Sequence, residues 1–184
     1  MDEQQMVRLS KRLSRVLRHQ PERIGLTLDA GGWVGIDALL AALNASGTRV
    51  TRADLDEVVA RNNKRRYAVD PTGTRIRASQ GHTIDVDLGL RANTPPAVLY
   101  HGTVAAALPG IRERGLIPMR RNHVHLSADE ETARIVGSRR GRPLIIRVDA
   151  AAMAAAGHRF VVSDNGVWLT DAVPTAYLTI SGAR

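Results

Sequence analysis

The sequence contains no cysteine and few aromatic residues. The absence of cysteine excludes disulfide bonds, thiolate nucleophiles, cysteine-ligated zinc and iron–sulfur clusters. Aromatic side chains make up only 3% of the 184 residues, so the core must be aliphatic. RNA-binding domains that stack bases on aromatic rings are therefore disfavoured. No apolar run approaches the length that a transmembrane helix needs, so we expect no membrane-spanning segment.

Several catalytic and nucleotide-binding motifs are also missing. No Gly-x-Gly-x-x-Gly follows a predicted strand and no Walker loop occurs, which disfavours Rossmann and P-loop nucleotide sites. No nucleophile elbow is present, which disfavours a Ser-His-Asp hydrolase. The first five residues are acidic and polar, without the basic and apolar regions of a signal peptide. We therefore expect a cytoplasmic protein.

Positive charge is what the sequence has in excess. The chain carries 26 Lys and Arg against 18 Asp and Glu, a formal net charge of +8. Such an excess favours a polyanionic partner, with nucleic acid first among the candidates. An inert basic surface is the alternative. Hydrophobic residues make up 43% of the chain, enough for one large folded domain or two small ones.

The first half predicts three helices followed by a β-hairpin. Apolar residues recur at helical spacing over residues 4–20 and 36–43. Thr51 and Asp54 form a capping-box pattern at the start of the third helix. Two short strands flank a turn at residues 70–73. This order is typical of a winged helix, which we assign to residues 1–80. The third helix carries too few cations to read duplex DNA in the major groove.

The second half predicts a compact α+β unit over residues 98–184, made of short strands and a few helices. A helix over 104–114 is expected to be interrupted by Pro109-Gly110. Residues 81–97 are predicted to be a linker, in which the alternation of apolar residues over 84–88 is compatible with one additional strand. The fold class is therefore α+β with two lobes.

The stretch from Met119 to Ser127 predicts a ligand-binding strand. Alternation places His123 and His125 on one face, whereas Val124 and Leu126 occupy the other. Two imidazoles after a basic turn suit an anionic ligand, although a half-exposed strand with an ordinary turn is the simpler alternative. The two histidines have no clear third ligand in the sequence, so no metal site is expected.

Three basic turns occur along the chain, at Arg18-His19, Arg65-Arg66 and Arg120-Arg121. Arginine forms bidentate hydrogen bonds to phosphate and keeps its charge at any relevant pH. Each turn alone is explained as a solvated surface feature, and the first also as a cation favoured by a helix C-terminus. Convergence of the three turns on one phosphate dianion is the hypothesis that the sequence suggests.

Six ordered motifs resemble those of the RNA 2′-phosphotransferase family, the NAD-dependent enzymes related to the tRNA-splicing phosphotransferase. The resemblance spans about residues 9–180 and implies an N-terminal winged-helix lobe followed by a C-terminal ADP-ribosyltransferase-like lobe. The motifs are Leu17-Arg18-His19, Asn62-Asn63-Lys64-Arg65-Arg66-Tyr67, Ile76-Arg77-Ala78-Ser79-Gln80-Gly81-His82, Leu99-Tyr100-His101-Gly102-Thr103, His123-Val124-His125-Leu126-Ser127 and Asn165-Gly166-Val167-Trp168-Leu169.

The resemblance implies a two-step reaction. An internal RNA 2′-phosphate attacks the anomeric carbon of the nicotinamide ribose of NAD⁺ and expels nicotinamide. The ribose 2″-hydroxyl then attacks phosphorus, which leaves a 2′-hydroxyl on the RNA and releases ADP-ribose 1″,2″-cyclic phosphate. The implied catalytic residues are Arg18, His19, Arg66 and Arg121. The implied residues for NAD⁺ are His101, Gly102, Thr103, His125, Ser127 and Val167.

Two departures from related patterns accompany this resemblance. Val167 stands where many toxin-like relatives have a catalytic Glu, which argues against ordinary protein ADP-ribosylation, and Asn63 stands where the family often has Asp. The expected partner is RNA bearing a 2′-phosphate, and a monomer is expected. One alternative is an ADP-ribosyltransferase that modifies terminal phosphates of nucleic acid and stops after the first step. Another is a winged-helix binding module with a degenerate second domain.

Overall fold

A computed structural model describes residues 1–62 and 65–180. The chain divides into two compact units, Met1–Gly89 and Leu90–Arg184. Each unit has its own cluster of buried hydrophobic residues. Helices and short antiparallel sheets occur in both units, so the α+β class is confirmed.

In its described residues, the first unit contains three α-helices and one small sheet. The helices are α1 (Glu3–Arg18), α2 (Ile36–Ala45) and α3 (Arg52–Ala60), and the strands are β1 (Val34–Gly35), β2 (Tyr67–Val69) and β3 (Arg75–Ala78). The strands form an antiparallel sheet in the order β1-β3-β2. Leucines from all three helices are fully buried in the core, as the 3.6-residue periodicity predicts: Leu13, Leu17, Leu39, Leu43 and Leu55.

Local hydrogen bonds define the ends of these helices. At the start of α3 the Thr51 hydroxyl accepts from the Asp54 N–H, and the Asp54 carboxylate accepts from the Thr51 N–H. The predicted capping box is therefore confirmed. Asp2 and Gln5 form the same reciprocal arrangement at the start of α1. A capping side chain of this kind contributes about 1 kcal/mol to helix stability.

A buried tyrosine fastens the hairpin to α1. The Tyr67 hydroxyl donates to the carbonyl oxygen of Ser10 at 2.6 Å and lies 2.9 Å from the Ser14 hydroxyl. Tyr67 is only 6% exposed, so these bonds satisfy its hydroxyl group inside the unit. They hold β2, which directly follows Arg66, against α1.

Residues 81–97 divide between the two units. The Asp87 N–H donates to the carbonyl of Ala30 in the first unit, and the Asn93 N–H donates to that of Phe160 in the second. The prediction of an additional strand at 84–88 is wrong, because these residues lie outside every strand of the described chain. Alternation alone is insufficient, since a strand also requires a neighbour to complete its hydrogen bonds.

Up to residue 180, where the described part of the chain ends, the second unit contains three α-helices and two antiparallel sheets. The first sheet has the order β4 (Val98–Val104), β6 (Pro143–Asp149), β9 (Leu178–Ile180), and the second has the order β5 (Val124–Leu126), β8 (Trp168–Thr170), β7 (Val161–Val162). The helices are α4 (Leu108–Arg114), α5 (Glu130–Gly137) and α6 (Ala150–Ala155). Tyr100 and Ser127 exchange two main-chain hydrogen bonds of 2.9 and 2.8 Å, which join β4 to the end of β5.

The predicted interruption of the helix at Pro109-Gly110 is wrong. A 3₁₀ turn covers Ala105–Ala107, and α4 begins at Leu108. Pro109 therefore lies in the first helical turn, where its missing N–H has no intrahelical partner to lose.

None of the helices in residues 1–62 and 65–180 combines the length and the apolar character needed to cross a bilayer.

Candidate active site

In the first unit, Arg18 and His19 lie at the C-terminal end of α1. The His19 N–H caps the helix by donating to the carbonyl of Arg15, and the Thr83 N–H donates to the carbonyl of Arg18 at 2.9 Å. The His19 Nδ1 lies 3.0 Å from the Thr83 hydroxyl. The chain after Gly81 therefore folds against the helix end and fixes the position of the imidazole.

The main chain of Arg66 contacts the Arg18 side chain. The Arg18 guanidinium donates to the Arg66 carbonyl oxygen at 3.4 Å, and the Ser79 N–H donates to the same oxygen at 2.9 Å. The Arg66 guanidinium donates to the Asn62 side-chain oxygen at 3.4 Å. The structure thus brings together Arg18, His19 and Arg66, three of the four residues expected to contact phosphate.

The turn before Arg66 is held in an unfavourable backbone conformation. Arg65 has a φ of 40°, in the left-handed region that non-glycine residues rarely adopt. The hydroxyl of Ser79, a residue only 1% exposed, donates to the Arg65 carbonyl at 2.8 Å. Ser79 therefore ties down both Arg65 and Arg66, a role that sequence reasoning missed. Asn63 and Lys64, which belong to the predicted basic turn, lie outside the described residues.

A buried histidine lies beside these cations. His82 is 2% exposed, and burial, followed by the charges of Arg18, His19 and Arg77, lowers its pKa to about 4. The imidazole is therefore neutral at pH 7 and adds no further charge to the cluster. The only sign of it in the sequence was its place in the motif ending Gly81-His82.

In the second unit, two imidazoles are oriented by main-chain carbonyls. The His101 Nδ1 lies 3.0 Å from the carbonyl oxygen of His125, and the His125 Nδ1 lies 3.0 Å from that of His123. A carbonyl can only accept, so both Nδ1 atoms carry the proton. Burial lowers the pKa of His101, and the charges of Arg140 and Arg121 lower it further. His101 is therefore a neutral ring whose Nε2 is an acceptor.

Close packing explains the glycine next to His101. A Cβ at Gly102 would collide with the carbonyl of Ala133 and come within 2.9 Å of the Gly137 nitrogen. Both of these residues belong to α5, so the helix packs directly on the backbone of β4. Thr103 is buried beside this contact. Gly102 thus has a structural role, since its missing side chain lets α5 pack against β4 between His101 and Thr103.

Arg121 belongs to a second cationic cluster. Its N–H donates to the Pro118 carbonyl at 3.1 Å, in a turn where Met119 has a left-handed φ of 59°. Although the Arg121 side chain is exposed, partial desolvation lowers its pKa, and the charges of Arg140 and Arg139 lower it further. Sequence reasoning missed Arg139 and Arg140, which follow α5. The signal available was the basic run Ser138-Arg139-Arg140-Gly141-Arg142.

The remaining predicted residues of this unit lie in its second sheet or directly beside it. His123 and His125 are half-buried, whereas Val124 and Leu126 are buried, so the predicted division of the two faces is confirmed. Val167 is half-buried in a hairpin, where its carbonyl accepts from the Ser163 N–H at 3.0 Å. Among the described side chains, no group of three or more His, Asp and Glu is arranged to hold a metal ion.

The two clusters suit different ligands. Guanidinium groups of the first unit suit a phosphate dianion, because their charge is permanent and their geometry matches phosphate oxygens. The neutral His101 ring and the buried hydroxyl groups of the second unit suit a ligand rich in hydroxyl groups, and Arg121 with its neighbours adds affinity for phosphate. Together these groups provide charge compensation and positioning rather than a protein nucleophile.

Comparisons with known proteins agree with this chemistry. The family model described as "RNA 2'-phosphotransferase, Tpt1 / KptA family" matches residues 4–172. A protein of Streptomyces coelicolor is 62% identical over 97% of both chains. One of Herpetosiphon aurantiacus is 54% identical over 98% of this chain and 99% of its own. One of Burkholderia pseudomallei is 50% identical over 95% of both. All three relatives are named "Probable RNA 2'-phosphotransferase".

Proposed function

The chain belongs to the RNA 2′-phosphotransferase family and is an RNA 2′-phosphotransferase, and we propose that it transfers an internal RNA 2′-phosphate to NAD⁺. The products are RNA with a 2′-hydroxyl, nicotinamide and ADP-ribose 1″,2″-cyclic phosphate. NAD⁺ is consumed as a second substrate, and no metal takes part.

The proposal assigns one ligand to each unit. Residues 1–80 form a winged-helix lobe for the RNA phosphate, which the order α1-β1-α2-α3-β2-β3 and the three-stranded antiparallel sheet support. Residues 98–184 form an ADP-ribosyltransferase-like lobe for NAD⁺, which the two three-stranded sheets and the position of His101 on β4 support. Residues 81–97 link them.

The hydrogen bond from Arg18 to the Arg66 carbonyl is the observation that carries the phosphate assignment. It brings two residues 48 positions apart into one cluster with His19. We infer that the guanidinium groups of Arg18 and Arg66 hold the phosphate and compensate its charge, and that the His19 ring takes part in proton transfer. The family resemblance also assigns Arg121 of the second unit to catalysis.

The second unit fits NAD⁺ through its hydrogen-bonding groups. His101 offers Nε2 as an acceptor for a ribose hydroxyl, because Nδ1 is committed to the His125 carbonyl. Thr103, His125, Ser127 and Val167 complete the proposed surface, with Gly102 as its closely packed base. Val167 brings no carboxylate, which suits an acceptor phosphate that is already ionised and needs no general base.

A labelled substrate tests the proposal directly. The protein is mixed with a short RNA that carries one radiolabelled internal 2′-phosphate, with and without NAD⁺. We expect the label to appear in ADP-ribose cyclic phosphate only when NAD⁺ is present. Arg18→Gln should abolish most of this transfer, whereas Arg23→Gln, an exposed arginine on the next turn, should leave it intact.

Two other results would contradict the proposal. Label that stays on an RNA enlarged by ADP-ribose would show the first step alone and would support a phosphate ADP-ribosyltransferase. No transfer and no NAD⁺ binding would support a nucleic-acid-binding module. We also propose that the enzyme acts in the cytoplasm as a monomer.

A further inference from the structure

One face of α1 carries a row of arginines that the proposed reaction does not use. Arg8, Arg12 and Arg15 lie four and three residues apart and lead to His19 at spacing i, i+4, i+7 and i+11. At 3.6 residues per turn, all four positions fall within about 60° of arc on the helix. We name Arg8, Arg12 and Arg15 the α1 stripe.

The first part of the stripe lines a groove of about 540 Å³. Arg8 and Arg12 form one side, and Ser46, Thr48 and Arg49, which follow α2, are also part of its lining. The Arg12 guanidinium donates to the Ser46 hydroxyl at 3.2 Å, which fixes it across the groove. The Arg12 Nε is buried and has no hydrogen-bond partner within the described part of the chain.

The arginines of this groove form no ion pair within the part of the chain that the structure describes. In residues 1–62 and 65–180, no carboxylate lies within ion-pair distance of Arg8, Arg12 or Arg49. One acid, Asp54, lies in the lining; hydrogen bonds from Thr51 lower its pKa, so its carboxylate is ionised and offsets one of the three arginine charges of the groove. Like charges one turn apart destabilise a helix, so a polyanion would relieve this repulsion.

We propose that the α1 stripe and Arg49 bind the phosphates of the RNA strand that flanks the 2′-phosphate. The inference rests on the proposed function, which places the reacting phosphate at Arg18, His19 and Arg66. From Arg8 to His19 the helix rises roughly 16 Å. That length spans about five nucleotides of one strand at the 3.4 Å rise of a duplex, and fewer in an extended single strand. The row has no aromatic residue, so it contacts backbone phosphates without base stacking and without sequence preference.

A binding experiment tests the surface without requiring catalysis. Fluorescence anisotropy follows a labelled single-stranded RNA 12-mer without a 2′-phosphate at several salt concentrations. Each lost phosphate contact should reduce the slope of log K against log salt by about 0.7, so Arg8→Gln/Arg49→Gln should reduce it by about 1.4. Both side chains are exposed, so the double variant should fold normally. Arg112→Gln/Arg114→Gln, exposed arginines on α4, is the control with an equal loss of charge and should keep the wild-type slope.

A turnover experiment tests whether these arginines contact the RNA that flanks the reacting phosphate. The same variants are compared on a dinucleotide 2′-phosphate and on a 12-mer with one central 2′-phosphate. We expect Arg8→Gln/Arg49→Gln to raise KM for the 12-mer about tenfold without changing kcat. The kinetic constants for the dinucleotide should stay unchanged.

The outcomes separate this inference from the proposed function. An unchanged salt slope, or a slope that falls equally in the α4 control, would overturn the inference even if wild-type turnover is normal. Equal losses on both substrates would also overturn it, because they would place the arginines at the reacting phosphate. A reduced slope in a protein that turns over neither substrate would support RNA binding along α1 while the proposed function fails.

Discussion

The two units present their polar groups by different physical means. In the first unit, arginine charges gather at the end of α1, where the Arg18 guanidinium donates to the Arg66 carbonyl and the Thr83 N–H donates to the Arg18 carbonyl. In the second unit, the imidazoles of His101 and His125 lie on two strands, each with one nitrogen bonded to a carbonyl. The first arrangement depends on hydrogen-bonded turns, and the second depends on how closely α5 packs on β4.

This difference indicates where each unit is vulnerable. A packing error should damage the second unit most, whereas loss of one buried hydrogen bond should damage the first. Each unit contains one of the two tryptophans, Trp33 in the first and Trp168 in the second. The single-tryptophan variants Trp168→Phe and Trp33→Phe therefore let the unfolding of the two units be followed separately.

The largest effect is expected for Gly102→Ala. The new methyl group must displace the backbone of α5, which we expect to cost about 3 kcal/mol of unfolding free energy. Urea titration should show the loss in Trp168 fluorescence and not in that of Trp33. Gly35→Ala in the first unit is the control, because its nearest neighbour is the Ala38 Cβ at 4.0 Å. Equal losses in both variants would contradict the packing argument.

The next effect concerns catalysis by the second unit. Arg121→Ala should lower kcat/KM for phosphate transfer roughly 10- to 150-fold, because a charge-assisted phosphate contact contributes about 1.5–3 kcal/mol. Arg120→Ala removes an equal charge from the adjacent exposed residue and should change kcat/KM little. Single-turnover assays on the labelled RNA measure both. Equal losses of kcat/KM in the two variants would contradict the assignment of Arg121, and not Arg120, as the residue that contacts phosphate.

The third effect is the acid sensitivity of the first unit. The pKa of His82 is lowered to about 4 in the fold, so between pH 6.5 and 4 the unfolded state binds the additional proton. The unfolding free energy should therefore fall as pH drops through this window, by on the order of 2 kcal/mol. Trp33 fluorescence should report the loss, and His82→Gln should reduce its pH dependence. An identical pH profile in the variant would exclude His82 as the cause.

The smallest effect is expected for Ser79→Ala. The Arg65 carbonyl loses the hydroxyl that satisfies it, which should cost about 1 kcal/mol of unfolding free energy. Because the same turn carries Arg66, KM for the phosphorylated RNA should rise while kcat changes less. Ser79→Thr keeps the hydroxyl and should restore KM. If Ser79→Ala loses stability without any change in KM, the residue has a structural role only.

Local signals explain what could be predicted from the sequence. The periodicity of α1, the Thr51–Asp54 capping box and the alternation around His125 all depend on residues within a few positions of one another. The contribution of Gly102 could not be predicted in this way, because it depends on α5, about 30 residues further along the chain. The same holds for Arg140 beside Arg121 and for Ser79 beneath Arg65, since no short-range pattern specifies these contacts.

The separation of the two hydrophobic cores has a consequence for biosynthesis. Every residue of the first core lies between Leu9 and Ala78, so this unit can complete its packing while the rest of the chain is still being synthesised. The second unit must wait much longer, because β9 at Leu178–Ile180 supplies the last strand of its first sheet. During translation, the strands β4 and β6 are thus exposed for longest as an incomplete sheet. Nascent chains are expected to aggregate or recruit chaperones through these two strands.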